Sequence, residues 1–392
     1  MQVENKKKIL YVHHAHVRGG APRSLSFLLD CIDRAKYDIA YMCISDEEGN
    51  RRMFSSYTEE FYFAKGCSPF HGSTVCRPKT FIDLLRQIKS VPSTIRNATE
   101  NIRQANPDIV HLNSTCLWPV AWAVKRVNKK IKVICHIREP LVKKLDGRII
   151  NMFCSRFVDG FIAIDEFDSK SVKTRKKPLK VIYNSVDFEL YNRDIKSDKL
   201  RQELSLADDD LVYLYMARIS PTNGPLEMLR HIESIINENK KIHFCVVGWD
   251  QGSIDEYKQG ILDCAERFKE NVHMLPFRTD VNEVIASCDV MIVPFQTPHF
   301  SRSIIEAAAM GIPSIASDIG GPQELVLDGK TGLLFNPKTF EGFREHCLKL
   351  SDGEERVRLG KAAEAFAREN FDAKKNAEKV FDFYEKISKG DK

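Results

Sequence analysis

Short, nearly continuous apolar runs recur along the chain, separated by longer stretches in which apolar residues return every three or four positions. In the first half the runs are "KILYVHHA", "DIAYMCIS", "DIVHLN", "KVICHIR", "GFIAID" and "KVIYNS". Helical stretches lie between them: "PRSLSFLLDCI", residues 79–104 and "WPVAWAVKRV". A strand that is apolar on both faces must be covered on both, and helices between successive strands supply that cover, so the pattern predicts a parallel sheet in an α/β domain. The alternation stops at "FELYNRDIKSDKLRQELSLADDD", which is polar and lacks strand periodicity, and restarts at "LVYLYMAR". It continues through "HFCVVG", "VHMLP", "VMIVPF", "PSIAS" and "TGLLF" and ends in helices, of which "AKKNAEKVFDFYEKI" carries its apolar residues on one face. The expected division is a first doubly wound domain over 1–186, a second over 187–371 and a terminal helix over 372–392.

Composition alters this picture little. With 392 residues, 43% of them hydrophobic, the chain can bury two ordinary cores. A formal charge of +5 is modest for that length and does not point to nucleic acid. The 11 cysteines include no CxxC pair, which argues against both a disulfide framework and a zinc site and favours a reducing compartment. The opening "MQVENKKKILYVHHAH" has too short an apolar run for a signal peptide. No stretch reaches the roughly eighteen apolar residues a membrane span needs. A cytoplasmic protein is expected, with the sequons at Asn97 and Asn113 unused.

Two doubly wound domains bind ligands at the carboxyl ends of their strands, so tandem domains are expected to face a central cleft there. In "VRGGAPRSL", Gly19 and Gly20 lie between the first strand and first helix, a place for either a phosphate or a plain tight turn, with Pro22 suited to the first helical position. In "VICHIREP", His136 follows a buried strand with Arg138 and Glu139 beside it. A histidine titrating near neutral pH can orient a hydroxyl there, or it can be purely structural. Arg218 in "MARISPTNG" can clamp a diphosphate or simply be solvated. In "SRSIIEAAAMG", Ser301 or Ser303 can cap a helix, and Glu306 can accept ribose hydroxyls or merely complement the helix dipole. "SDIGGPQEL" repeats the strand–turn–helix logic with Gly320, Gly321, Pro322 and Glu324. Asp208, Asp209 and Asp210 read as a solvated turn, and no metal site is expected.

The ordered segments "GGAPRSL", "PDIVHLN", "HIREP", "VIYNSVD", "ARISPTNG" and "IIEAAAMGIPSIASDIGGPQELVLDGKTGLLF" resemble glycosyltransferase family 4, the retaining GT-B enzymes, over nearly the whole chain. The resemblance implies two Rossmann-like domains, acceptor on the first and nucleotide sugar on the second, with the last helix crossing back to the first domain. It implies no cofactor and no metal, only a nucleotide-diphosphate sugar as co-substrate. It matches Arg218 to the arginine on the donor diphosphate, Glu306 to the carboxylate on the ribose, His136 to the histidine near the donor sugar, and Gly19 and Gly20 to the glycine turn by the phosphates. The amides of Ser301, Arg302, Ser303 and Ile304 would face the diphosphate, with His299 and Phe300 just before them. Gly248 in "VVGWD", Phe277 and Arg278 would meet the base, while His16 and Arg138 fall on the acceptor side.

Two positions depart from the family pattern. Pro298 stands where a first glutamate is expected and Asn223 where a lysine is expected. His299 and Arg302 are the substitutes at hand, and the stretch resembles a "PHFxRxIIEA" variant associated with polysaccharide-assembly members of the family. The favoured expectation is an active transferase that adds a sugar to a glycan or lipid-linked glycan in cell-surface polysaccharide synthesis. The alternative is an inactive GT-B partner that binds nucleotide sugar or glycan, and a GT-B epimerase or phosphorylase is a third reading. "DSKSVKTRKKPLK" and Arg86, Lys89, Arg96 and Arg103 make the first domain locally basic, which suits either peripheral membrane contact or a solvated face.

Overall fold

A computed structural model describes residues 6–16, 19–250 and 252–390, so Val17 and Arg18 of the first glycine loop and Gln251 lie outside the described residues. The chain divides into two compact units, Met1–Ser185 with Ala373–Lys392, and Val186–Asp372.

The first unit holds a 7-stranded sheet of β1 (Lys7–His13), β2 (Tyr37–Cys43), β3 (Phe61–Phe63), β4 (Ile109–Leu112), β5 (Lys132–Ile137), β6 (Gly160–Ala163) and β7 (Leu179–Val181), in the order β3-β2-β1-β4-β5-β6-β7. Every pairing is parallel. The double-sided burial read from the sequence is evident in β1, where Ile9, Leu10, Tyr11 and Val12 are all buried and point alternately to two cores. Leu10 and Val12 join the core under helices Phe81–Ala105, Trp118–Val127 and Leu145–Phe157. Ile9 and Tyr11 join the one under Gly20–Asp30 and the terminal helix Ala373–Lys389. The Phe81–Ala105 helix begins at a reciprocal capping box between Thr80 and Asp83 and ends where Asn106 takes the left-handed conformation. The terminal helix buries Val380, Phe383, Tyr384 and Ile387. It is tied to the sheet by Glu385, which accepts from Lys7 and the Tyr37 hydroxyl, both at 2.7 Å.

The second unit holds β8 (Leu211–Met216), β9 (Ile242–Trp249), β10 (Val272–Pro276), β11 (Val290–Val293), β12 (Ser314–Ser317) and β13 (Gly332–Phe335) in the order β10-β9-β8-β11-β12-β13, again all parallel. Both sheets reverse direction once, between β1 and β4 and between β8 and β11. In open α/β sheets the crevice at such a reversal, beyond the carboxyl ends of the strands, is where ligands bind.

Two details differ from the expected pattern. The polar stretch before β8 contains a short helix, Lys199–Glu203, and β3 is a strand of three residues, too short to show a period.

Candidate active site

At the reversal in the second unit, the loop after β8 and the loop after β11 are laced together. The amides of Gln296 and Thr297 donate to the Thr222 carbonyl at 2.9 and 3.3 Å. Gly224, at φ +72, lies so close under Pro294 that a Cβ would stand 2.0 Å from its carbonyl oxygen. Only glycine satisfies both the left-handed backbone and that approach. Asn223 is buried and donates to the Arg218 carbonyl at 2.8 Å, which also accepts from the Tyr215 hydroxyl at 2.8 Å. Asn223 therefore fixes the backbone that presents Arg218, and its amide is used inside the loop. Arg218 itself is exposed, two residues past the end of β8, and its guanidinium makes no hydrogen bond or salt bridge among the described residues.

The helix Arg302–Ala309 starts at Ser301. The expected cap at Ser301 is absent: its Oγ meets Ser303 Oγ at 3.0 Å and accepts from no first-turn amide. One turn on, Glu306 is only 4% exposed. Its Oε1 accepts from Arg302 Nε and Nη2 at 3.2 and 3.1 Å, while Oε2 makes no hydrogen bond among the described residues. The expectation that Arg302 supplies a free positive charge is thus corrected, because the i,i+4 spacing puts it on the Glu306 carboxylate. Ile304 is buried, facing the core.

His299 stacks on Phe295 with ring centroids 3.9 Å apart, and its Nδ1 lies 2.7 Å from the Thr297 carbonyl. Burial lowers its pKa to about 4; the Thr297 hydrogen bond opposes that shift and the nearby Arg218 charge adds to it. Since a neutral imidazole must donate to a carbonyl, Nδ1 carries the proton and Nε2 is left as an acceptor. The next strand's loop closes against this one: a Cβ at Gly321 would stand 2.8 Å from the His299 carbonyl oxygen and 2.9 Å from Phe300 Cα. Gly248 lies near the end of β9 against the Ala217 carbonyl, and Phe277 is exposed just after β10. The Arg278 guanidinium is committed to Asp280 through two hydrogen bonds of 2.8 Å and to Glu203 at 2.6 Å, which leaves its backbone and stem for the expected base contact.

In the first unit, His136 lies within β5 rather than beyond it, and it is buried. Its Nδ1 lies 3.3 Å from His111 Nε2, whose own Nδ1 lies 2.6 Å from the Tyr384 hydroxyl of the terminal helix. Burial, with the Arg138 and His111 charges, holds its pKa well below the ordinary histidine value, so it is neutral rather than poised near pH 7. Its Nε2 has no hydrogen-bond partner among the described residues, and His136 lines a pocket with Arg138, Asn184, Ser24 and Asn376. Arg138 is buried and held by Asn113 Oδ1 at 2.7 and 3.0 Å and by Asn184 Oδ1 at 2.6 Å, which corrects its reading as an open acceptor contact. His16 is exposed, 3.3 Å from Asp46. Gly19 precedes the Gly20–Asp30 helix at φ +142 and, being glycine, brings no capping side chain.

The sequence reading missed several residues at this edge. Asn113 bridges Arg138 and, at 3.0 Å, His13 Nδ1. A second pocket is lined by His14, His71, Ser114 and Glu139. "HHAH" and "HLN" at strand ends were the available signals. Among the described residues no three His, Cys, Asp or Glu side chains converge in a way that could hold a metal ion.

Two doubly wound parallel units in one chain are the architecture of the GT-B fold. Two family profiles match the chain, Glycosyltransferase Family 4 over residues 18–190 and Glycosyl transferases group 1 over 196–366. Between them they take in most of its length, and the chain belongs to this glycosyltransferase family. Spore coat protein SA of Bacillus subtilis is 23% identical over 305 residues, 73% of this chain and 80% of that protein. The UDP-Gal:alpha-D-GlcNAc-diphosphoundecaprenol alpha-1,3-galactosyltransferase of Escherichia coli is 23% identical across 97% of both chains. The crystal structure of Anabaena HepE in complex with UDP superposes with a TM-score of 0.77 at 21% identity, covering 96% of this chain and 99% of that one.

Proposed function

We propose that this protein is a retaining, metal-independent glycosyltransferase that moves a sugar from a nucleoside diphosphate to a glycan or lipid-linked glycan in cell-surface polysaccharide synthesis, at the cytoplasmic face of the membrane. The observation that carries the donor assignment is Glu306: a buried carboxylate with one oxygen held by Arg302 and the other without a partner among the described residues. Such an oxygen suits a ribose hydroxyl, and the uncapped first turn of its helix suits the diphosphate. Arg218 adds a cation without an ion-pair partner among the described residues, where negative charge would grow as the leaving group departs. Neutral His299 offers an Nε2 acceptor to a sugar hydroxyl, in place of the carboxylate that Pro298 does not supply. Retention follows if the acceptor hydroxyl attacks from the side the diphosphate leaves, with a phosphate oxygen taking the proton. The E. coli and Anabaena relatives favour UDP as the nucleotide and a polyprenyl diphosphate as the acceptor anchor.

The use of Asn223 inside its own loop, where a second phosphate-binding cation is expected, keeps one other reading open, a donor-binding protein without turnover. A thermal-shift screen against UDP-, GDP-, ADP-, CMP- and dTDP-sugars, repeated with Arg218→Ala and Glu306→Ala, tests both. One donor should stabilise the protein selectively, and both variants should lose that shift. Turnover of the same donor with a diphosphate-linked acceptor separates the enzyme from the binding protein; no shift with any donor at millimolar concentration overturns the donor assignment.

A further inference from the structure

The exposed large apolar side chains of the first unit are concentrated on two helices. On Phe81–Ala105, Phe81 and Ile82 are 68% and 61% exposed, and Leu85 and Ile88 follow on the same outward face. That face flanks, about a quarter turn around the helix, the one that buries Leu84, Ile95, Ala98 and Ile102. On Leu145–Phe157, Leu145 and Met152 are exposed. The two starting turns are fastened together: Arg77, just before the first helix, pairs at 3.3 Å with Asp146 in the first turn of the second, and the Val142 amide donates to the Gly72 carbonyl at 3.1 Å. Both helices belong to the layer on one side of the sheet and begin at its carboxyl edge.

The charge around these residues has one sign. Arg77, Lys79, Arg86, Lys89, Lys143, Lys144 and Arg148 are all exposed and lie in the same two short segments as the apolar side chains. The two acids in the same segments are both engaged: Asp83 caps its helix and meets Arg86, and Asp146 is buried against Arg77. A partner helix would fit apolar residues alone, whereas an apolar face accompanied by cations complements an anionic bilayer, which accepts both. We infer that the starting turns of helices Phe81–Ala105 and Leu145–Phe157 form a docking face for a membrane rich in anionic lipid. The basic stretch 168–180 is not part of it, since it runs back toward the amino edge of the sheet ahead of β7. The inference extends the lipid-linked acceptor of the proposed function, but it is read without any sugar transfer.

The test is flotation of the full chain with vesicles of phosphatidylglycerol and phosphatidylethanolamine, against vesicles of phosphatidylcholine alone. Binding should be confined to the anionic vesicles. Phe81→Ser with Ile82→Ser should weaken it on the order of tenfold or more per side chain, and Arg86→Glu with Lys89→Glu at least about fivefold per position. Lys173→Glu with Lys176→Glu, in the other basic stretch, should leave it unchanged, as should all these variants the donor-induced thermal shift. No binding to anionic vesicles, or equal loss in the 173/176 variant, overturns the docking face. A concentration-dependent dimer that the Phe81/Ile82 variant abolishes, without vesicle binding, would assign the face to a second copy of the chain and likewise overturn it. Vesicle binding without donor binding would instead overturn the proposed function and leave this inference standing.

Discussion

The Arg302–Glu306 pair allows the proposed donor site to be examined through stability alone. Its side chains are only 12% and 5% exposed, so water contributes little to either charge. Replacing Arg302 with Met keeps most of the apolar stem and removes the guanidinium, leaving a buried carboxylate whose partner is gone. Loss of one member of a buried pair costs about 3–5 kcal/mol, whereas replacing both members with apolar residues is often neutral or stabilising. For a unit of this size each kcal/mol moves the midpoint by roughly 2–4 °C. Arg302→Met should therefore lower the melting temperature of the second unit by about 6–20 °C, and Arg302→Met with Glu306→Leu should recover most of that loss. Differential scanning calorimetry of the four proteins of the cycle reads the coupling directly. If Arg302→Met melts within about 2 °C of the parent, or if the double variant is less stable than Arg302→Met, Glu306 is not held as described, and its role toward the ribose loses its structural basis.

Two further outcomes are expected. Gly224→Ala places a Cβ against the Pro294 carbonyl at a positive φ, which should cost on the order of 3 kcal/mol and displace Arg218; a thermal shift with donor equal to that of the parent would refute the coupling of these loops. The neutral buried histidines make stability depend on pH: burial lowers His14 and His299 to about 4 and His111 to about 3, against 6.5 when unfolded. Their contribution is complete above pH 6.5 and is lost on acidification toward these folded values, at about 1.4 kcal/mol per histidine per pH unit. Urea titrations at pH 7, 6 and 5 should show falling midpoints, and a flat profile would refute the buried neutral assignment.

The sheets were legible because their strands are apolar on both faces, as in Ile9 to Val12, and a continuous run needs no knowledge of its neighbours. What was not legible depended on partners distant in sequence. The pairing of Arg278 with Glu203, 75 positions away, is not visible until the fold places them side by side. Arg138 reads as an acceptor contact until Asn113 and Asn184 close around it. His136 reads as a neutral-pH titrant until burial and His111 are added. Arg302 is the instructive exception, since its position four residues before Glu306 on a helix was visible in the sequence and pointed to the pair. Asn223, read as a missing cation, has a task that only the loop's folded path reveals.

The first unit is built from two pieces of chain separated by the whole of the second, and the later piece carries Tyr384 against His111 and Glu385 against Lys7 and Tyr37. During synthesis, the first 185 residues therefore leave the ribosome with one side of their sheet covered by Gly20–Asp30 but not yet by the terminal helix that completes the core around Tyr11 and Ile9. The second unit, continuous in sequence, has all its parts once Asp372 emerges. The order of birth and the order of completion are thus inverted. Nascent chains halted before the terminal helix should carry a protease-resistant second unit and a first unit still dependent on chaperones.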